Sequence, residues 1–192
     1  MDFIFDIGNV LVDYKPLTFL EKMFPGKPFT KNLYETIFLS KEWLYLDQDT
    51  ITWDDAFDTF CERLPELKAE IKLVRQKVND IFTPLDETIK LLPEIKRAGH
   101  GLYFLSNISA DTRDYLMSEF DFLDMFDGGV YSCDVKMLKP FRGIYDRLLK
   151  KYDLCPEDCI FFDDVPVNAD GANAAGIKGV VFTGADCILP FL

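Results

Sequence analysis

Three short runs of consecutive apolar residues recur along the chain, and polar or acidic residues follow each of them. The runs are residues 3–5, 102–105 and 160–162, and the residues that follow them are Asp6, Ser106 with Asn107, and Asp163 with Asp164. Continuous apolar runs of this length are typical of strands buried on both faces, as in a parallel sheet. Because ligands bind outside the carboxyl ends of such strands, we expect these polar residues to form one site.

Helical patterns alternate with the apolar runs. The helical candidates are residues 85–98, 110–120, 141–152 and 168–175, and the weaker strand candidates are residues 128–135 and 179–183. Gly99 and Gly176 stand where the glycine that ends a helix is expected. Strands that alternate with helices predict a three-layer α/β fold around a parallel sheet.

Residues 14–84 break this alternation and are too long for a plain loop. Apolar residues recur here at the helical spacings of four, three, four and three, in Leu67, Ile71, Val74, Val78 and Ile81. Thr52, with the carboxylate of Asp55 three residues later, has the pattern of a helix start. We therefore predict a helical cap of residues 14–84, inserted into an α/β core of residues 1–13 and 85–192.

Composition and charge exclude some classes of function. Hydrophobic residues make up 48% of the 192 residues, enough for a substantial core. The formal net charge is −12 and no basic run is present, so we expect no nucleic-acid partner. No long apolar stretch indicates a membrane span. The five cysteines are odd in number and scattered, which predicts reduced thiols in a cytoplasmic protein.

The expected site contains three carboxylates, those of Asp6, Asp163 and Asp164. Carboxylates gathered at one point repel each other unless a cation compensates them. Hard oxygen ligands without a nearby His or Cys favour Mg²⁺, which also binds phosphate oxygens. An Asp at a strand end can attack phosphorus and form an aspartyl-phosphate. The residues alone therefore predict a magnesium site with phosphoryl-transfer chemistry.

Four segments in order resemble the motifs of the haloacid dehalogenase (HAD) superfamily. They are residues 6–11 for motif I, residues 105–107 for motif II, Lys139-Pro140 for motif III, and residues 162–164 with Asn168 and residues 171–176 for motif IV. The inserted segment is similar to a C1-type cap. The resemblance implies a HAD-like Rossmannoid three-layer core with a parallel sheet and a small all-helical cap.

The resemblance also implies a role for eight residues. The metal would be held by Asp6, the backbone carbonyl of Gly8, Asp164, and Asp163 directly or through water. The phosphoryl group would be bound by Ser106, Asn107, Lys139 and Asn168, and Asn168 would also orient the acidic pair. Asp6 is implied to be the nucleophile, and Lys139 and Ser106 complete the catalytic set by stabilising charge.

One position departs from the family pattern. Most HAD phosphatases carry a second Asp two residues after the nucleophile, as general acid and base, and this chain has Gly8 there. General acid–base catalysis typically raises the rate about 10²–10⁴-fold. Its loss therefore predicts a preference for substrates with good leaving groups, such as sugar 1-phosphates. Asp13 and Asp47 are candidate substitutes, although the simpler interpretation of each, an ordinary surface carboxylate, is favoured.

The resemblance implies a magnesium-dependent phosphatase that acts on a small phosphorylated metabolite. The Asp-x-Gly-Asn-Val form of motif I resembles a subgroup that includes α-D-glucose-1-phosphate phosphatase, which implies a sugar phosphate as substrate. In the cap, Trp43 and Tyr45 either stack on a sugar ring or pack the interface between the domains. Two alternatives stay open. A 2-haloacid dehalogenase needs no metal and leaves the acidic pair unexplained, whereas a weakly catalytic pseudo-phosphatase serves as an interaction module.

Overall fold

The computed structural model describes all 192 residues, and its centre is a parallel sheet of five strands in the order β5-β4-β1-β6-β7. The strands in chain order are β1 (Asp2–Phe5), β2 (Val12–Asp13), β3 (Thr83–Pro84), β4 (Gly101–Ser106), β5 (Gly128–Tyr131), β6 (Cys159–Asp163) and β7 (Lys178–Val181). β1 lies in the middle of the sheet, with Phe5 opposite Phe104 of β4 and Phe162 of β6. This register brings the carboxyl ends of the three predicted buried strands side by side, which confirms the predicted parallel sheet.

Helices flank the sheet and build the inserted segment. They are α1 (Pro16–Met23), α2 (Thr30–Ile37), α3 (Lys41–Asp47), α4 (Trp53–Arg63), α5 (Lys68–Lys77), α6 (Asp86–Ile89), α7 (Leu92–Arg97), α8 (Ala110–Glu119), α9 (Ser132–Val135), α10 (Arg142–Tyr152) and α11 (Pro166–Ala174). Short 3₁₀ turns cover Pro65–Leu67, Val78–Ile81, Asp121–Met125, Pro156–Asp158, Ala185–Cys187 and Leu189–Phe191. None of the helices is long and apolar enough to cross a bilayer.

Several local predictions are confirmed by the backbone. Thr52 and Asp55 form a reciprocal capping box at the start of α4, which satisfies two of its free N–H groups. Gly99 and Gly176 follow α7 and α11 with φ of 82° and 91°, a backbone region that a side chain disfavours. These residues end the helices where the sequence predicted.

Two predicted elements are divided in the structure. Residues 85–98 form α6 and α7 instead of one helix, because Pro93 lacks the N–H that would bond to the carbonyl of Ile89 and fits only a first turn. Residues 128–135 form β5 only to Tyr131, and α9 begins at Ser132. The hydroxyl of Ser132 accepts a hydrogen bond of 2.8 Å from the backbone N–H of Ile108, a contact that goes with the turn of the chain away from the sheet.

Alternate residues of β1 face two different hydrophobic clusters. Phe3 and Phe5 pack into the larger cluster on one face of the sheet, and Ile4 packs into the cluster on the other face. A third cluster of 16 buried residues, between Phe19 and Ile81, lies within the inserted helices. The antiparallel pair β2 and β3 connects this segment to the core. A separate hydrophobic cluster supports the predicted division into core and cap, and we use "cap" for residues 14–84 below.

Candidate active site

Lys139 and two carboxylates form a buried ion-pair network at the carboxyl edge of the sheet. The Nζ of Lys139 lies 2.8 Å from Oδ1 of Asp6 and 2.7 Å from Oδ2 of Asp163. The side chains of Lys139 and Asp163 are 1% and 0% exposed, so water does not screen these pairs. Asp6 follows β1 and Asp163 ends β6, so the register of neighbouring parallel strands sets their proximity.

Asp6 is buried and is held by contacts to the backbone and to Lys139. Its Oδ1 accepts a hydrogen bond of 2.7 Å from the backbone N–H of Ile7. Burial raises the pKa of Asp6 to about 6, the positive charge of Lys139 opposes this, and the negative charge of Asp163 adds to it. Asp6 is therefore ionised above pH 6, the state that a nucleophilic carboxylate requires.

Asp163 is committed to contacts within the protein. Its Oδ1 accepts from the backbone N–H of Val165 at 2.8 Å, and the amide of Asn168 donates to both oxygens at 3.0 and 3.1 Å. The hydroxyl of Tyr145 in turn donates to the carbonyl of Asn168 at 2.7 Å. The orienting contact predicted for Asn168 is therefore present, and it acts on Asp163. With both oxygens of Asp163 already in use, contact with a metal through water fits better than a direct bond.

Asp164 is held by Asn9, a residue whose role the sequence pattern did not predict. The amide of Asn9 donates to Oδ2 of Asp164 at 2.9 Å, and its Oδ1 accepts from the backbone N–H of Tyr14 at 2.9 Å. Asn9 has a φ of 54°, and Asn is one of the few residues that tolerates this left-handed region. The sequence signal that could have predicted this role is an Asn in the turn directly after the strand that ends before Asp6. Burial raises the pKa of Asp164, and the hydrogen bond from Asn9 opposes the shift.

The donor atoms fit a magnesium ion. Asp6, Asp163 and Asp164 each offer an oxygen, and these three oxygens lie within 4.8 Å of one another. The only cation bonded to the cluster is Lys139, so three carboxylates face one positive charge. A divalent cation would balance the remaining charge, and an all-oxygen donor set favours Mg²⁺ over softer metals. Gly8 lies beside the cluster in the turn after β1, and ligation by its carbonyl stays a prediction.

Ser106, which ends β4, and Asn107, which follows it, have different surroundings. Ser106 is buried at the end of the strand and lines the cavity above Asp6. Asn107 makes contacts that the sequence did not predict: its Oδ1 accepts from the backbone N–H of Lys139 at 2.9 Å, and its amide donates to the Lys139 carbonyl at 3.1 Å. Its side chain therefore positions the backbone of Lys139. The remaining amide hydrogen leaves phosphate binding by Asn107 a prediction.

Asp47 reaches the site from the cap, and the favoured interpretation of it as a surface carboxylate is wrong. It ends α3, is half-buried, and lines the same cavity as Asp6 and Lys139. Burial raises the pKa of Asp47 to about 8, and the charge of Asp6 adds to the shift. Asp13, the other candidate, lies in β2, pairs with Lys15 at 2.5 Å and does not line the cavity.

The cavity has a volume of about 410 Å³ and lies between the cap and the core. Its floor is polar and is formed by the residues just described. The side chains that line it from the cap and the adjoining helices include Tyr14, Tyr34, Phe38, Leu39, Trp43, Phe82 and Leu116. The ring of Trp43 also packs on Phe38 of the cap, with centroids 4.6 Å apart, and its stacking on a sugar ring stays a prediction. Tyr45 is 40% exposed and does not line the cavity.

Comparisons with known proteins point to one family. Residues 3–176 match the model of the haloacid dehalogenase-like hydrolases. The chain is 28% identical to a sesquiterpene phosphatase, astK of Aspergillus oryzae, over 94% of this chain and 88% of the relative. It is 27% identical to a phosphorylated carbohydrates phosphatase of Thermotoga maritima, over 92% of this chain and 82% of that one.

A solved structure shares the fold. It is a HAD family enzyme of Bacteroides thetaiotaomicron in complex with magnesium and inorganic phosphate, with a TM-score of 0.76. The two chains are 21% identical, and the match covers 95% of this chain and 94% of the other. At this identity the likeness concerns the fold.

Proposed function

Since the chain belongs to the haloacid dehalogenase-like hydrolase family, we propose that it is a magnesium-dependent phosphatase that hydrolyses a small phosphorylated metabolite. The observation that carries the proposal is the position of the Asp6 carboxyl group at the floor of a cavity, paired with Lys139 and beside Asp163 and Asp164. The five free thiols support the predicted cytoplasmic location.

In the proposed reaction, an oxygen of Asp6 attacks the phosphorus, the bond to the leaving group breaks, and an aspartyl-phosphate forms. Water then attacks the phosphorus and releases Asp6. Lys139 and the hydroxyl of Ser106 stabilise the charge on the transferring phosphoryl oxygens. Asp6, Asp164, the Gly8 carbonyl, and Asp163 through water would hold magnesium, which supplies further positive charge to those oxygens.

The predicted sugar phosphate is one proposed substrate class, and the similarity to the phosphorylated carbohydrates phosphatase supports it. A second class, phosphate esters with an apolar organic part, is favoured by the wall of the cavity. Phe38, Leu39 and Trp43 present apolar surface there, and burying apolar surface contributes roughly 25 cal/mol per Å². A similar chain acts, by its name, on a sesquiterpene phosphate, which agrees with this second class.

The substrate classes are separated by kcat/KM on a matched panel. A hexose 1-phosphate, a hexose 6-phosphate, glycerol phosphate and a terpenyl monophosphate are compared under the same magnesium concentration. A preference for the hexose phosphates supports the first class, and a preference for the terpenyl phosphate supports the second. The ratio between substrates is decisive because it is insensitive to the active fraction of the preparation.

The phosphatase reaction itself is tested with an aryl phosphate. Chelation should abolish turnover and magnesium should restore it, and Asp6→Asn should abolish turnover with the fold retained, because an amide does not attack phosphorus. Dehalogenation of a 2-chloroacid in the presence of chelator would instead support the dehalogenase alternative. A folded protein that binds phosphate and turns over none of these compounds would support the interaction module.

A further inference from the structure

We propose that Asp47 is the general acid and base of the reaction and takes the role for which Gly8 has no side chain. The inference rests on the phosphatase function proposed above. Asp6 enters the cavity from the sheet, and Asp47 enters the same cavity from the end of α3. A substrate bound in the cavity would therefore have its phosphoryl group on the core and its leaving oxygen toward the cap, where Asp47 lies.

The carboxyl group of Asp47 has no protein partner. It makes no hydrogen bond to the chain, and only burial and nearby charges shift its pKa. Burying a carboxyl group without a hydrogen-bond partner costs free energy. A ligand that supplies the partner removes this cost, so Asp47 favours the binding of such a ligand. This distinguishes Asp47 from Asp6, Asp163 and Asp164, each of which accepts hydrogen bonds within the protein.

Hydrogen bonds hold the backbone around Asp47, although its carboxyl group makes none. The hydroxyl of Ser132, at the start of α9 in the core, donates to the carbonyl of Asp47 at 2.6 Å. The hydroxyl of Ser40 caps α3 by accepting from the N–H of Trp43 at 3.1 Å. These contacts place the last turn of α3 over the core, so the position of Asp47 does not depend on a mobile surface chain.

The surroundings of Asp47 favour its protonated form. The charges of Asp6 and Lys139, both in the core, shift the pKa of Asp47. The charge of Asp47 in turn raises the pKa of the Tyr14 phenol in the cap. Burial and the charge of Asp6 raise the pKa of Asp47 to about 8, and Lys139 opposes the shift. Burial and the charge of Asp6 thus favour the protonated form, which is the form that a general acid must have.

The proton balance closes over one cycle. In the first step Asp6 bonds to phosphorus, the bond from phosphorus to the leaving oxygen breaks, and that oxygen takes the proton of Asp47. In the second step a water attacks the aspartyl-phosphate, Asp47 takes a proton from the water, and the bond between Asp6 and phosphorus breaks. The products are an alcohol and inorganic phosphate, and both Asp6 and Asp47 return to their starting states.

The test compares two leaving groups of similar shape in the magnesium-loaded enzyme. 4-Nitrophenyl phosphate releases a phenolate that is stable without a proton, whereas 4-nitrobenzyl phosphate releases an alcohol that needs one. Asp47→Asn should lower the first-turnover rate with the benzyl ester by about 10²–10⁴-fold and change that with the phenyl ester little. Asp58→Asn, an exposed carboxylate of the cap, is the matched control and should change neither rate.

The role of Asp47 as general base in the second step is measured separately. Without a base, Asp47→Asn should release one equivalent of nitrophenolate in a burst and then accumulate the phosphorylated enzyme, which acid quenching and intact-protein mass spectrometry detect. A merely structural role predicts a fall of equal size with both esters and no burst. An equal fall, or no fall with either ester, overturns the proposal, and absence of the burst overturns the base step. If the wild-type enzyme hydrolyses neither ester, it is the phosphatase function that fails.

Discussion

Replacement of Lys139 by Met tests how the buried charges of the site are balanced. Lys139 pairs with Asp6 at 2.8 Å and with Asp163 at 2.7 Å, and Met keeps most of its apolar stem. Removing one partner of a buried ion pair costs about 3–5 kcal/mol, because the remaining charge is left uncompensated. We expect Lys139→Met to lower the free energy of unfolding by this amount at pH 8 in chelator.

The loss of unfolding free energy in Lys139→Met should be larger at pH 8 than at pH 5, because Asp6 titrates between these values. Its pKa of about 6 stands above the ordinary value of 3.8, so folding already costs about 3 kcal/mol at pH 8 through this group. Without Lys139 the pKa of Asp6 rises further, and at pH 8 the cost of keeping it protonated reaches about 6 kcal/mol. At pH 5 Asp6 is protonated in both folded proteins, and this difference of about 3 kcal/mol disappears.

Urea denaturation at pH 8 and pH 5 measures both quantities, with unchanged m-values as the check on two-state behaviour. Lys150→Met, an exposed lysine on α10, is the control and should change stability by less than about 0.5 kcal/mol. A loss below about 1 kcal/mol at pH 8 would contradict the reasoning. A larger loss at pH 5 than at pH 8 would also contradict it, because the sign would then be reversed.

Two further predictions concern the metal site and the missing Asp. Asp164→Ala should weaken magnesium affinity, measured by titration calorimetry, more than Ser106→Ala does, since only Asp164 is a proposed ligand; equal effects would remove Asp164 from the metal site. Gly8→Asp should be tolerated, because a Cβ there meets only the Cβ of Tyr14 at 3.7 Å. In the Asp47→Asn background it should restore hydrolysis of the benzyl ester at least tenfold relative to Asp47→Asn alone, and no gain in a folded double variant would count against a shared role for positions 8 and 47.

The sheet was predictable because its signal is local and repeated. An apolar run followed by polar residues marks the carboxyl end of a buried strand, and the parallel register then places Asp6 beside Asp163 without further information. Helix ends followed from single residues such as Thr52 and Gly99. The predictions were wrong where a distant residue decides the local structure. β5 ends at Tyr131, since the next residue, Ser132, accepts a hydrogen bond from the backbone N–H of Ile108.

The predicted roles within the site followed the same division. Asp6 and Asp163, which the ends of β1 and β6 fix, lie together as expected, and Lys139 from the loop between α9 and α10 pairs with both. The task of Asn107 was not predictable, because its partner, the backbone of Lys139, lies 32 residues away in the sequence. The role of Asn9 could have been predicted, since an Asn in a turn after a strand indicates a left-handed backbone and a side-chain amide that can donate a hydrogen bond.

Asp47 shows why an inserted cap resists prediction from sequence. In the sequence it is one carboxylate among 33 acidic residues, and most such residues are solvated. What distinguishes it is that α3 packs against α9, so that the carbonyl of Asp47 meets Ser132, 85 residues later in the chain. The same contact makes the proposed acid conditional on the docking of the cap, because a displaced cap would remove the proton donor while leaving Asp6 and Lys139 in place.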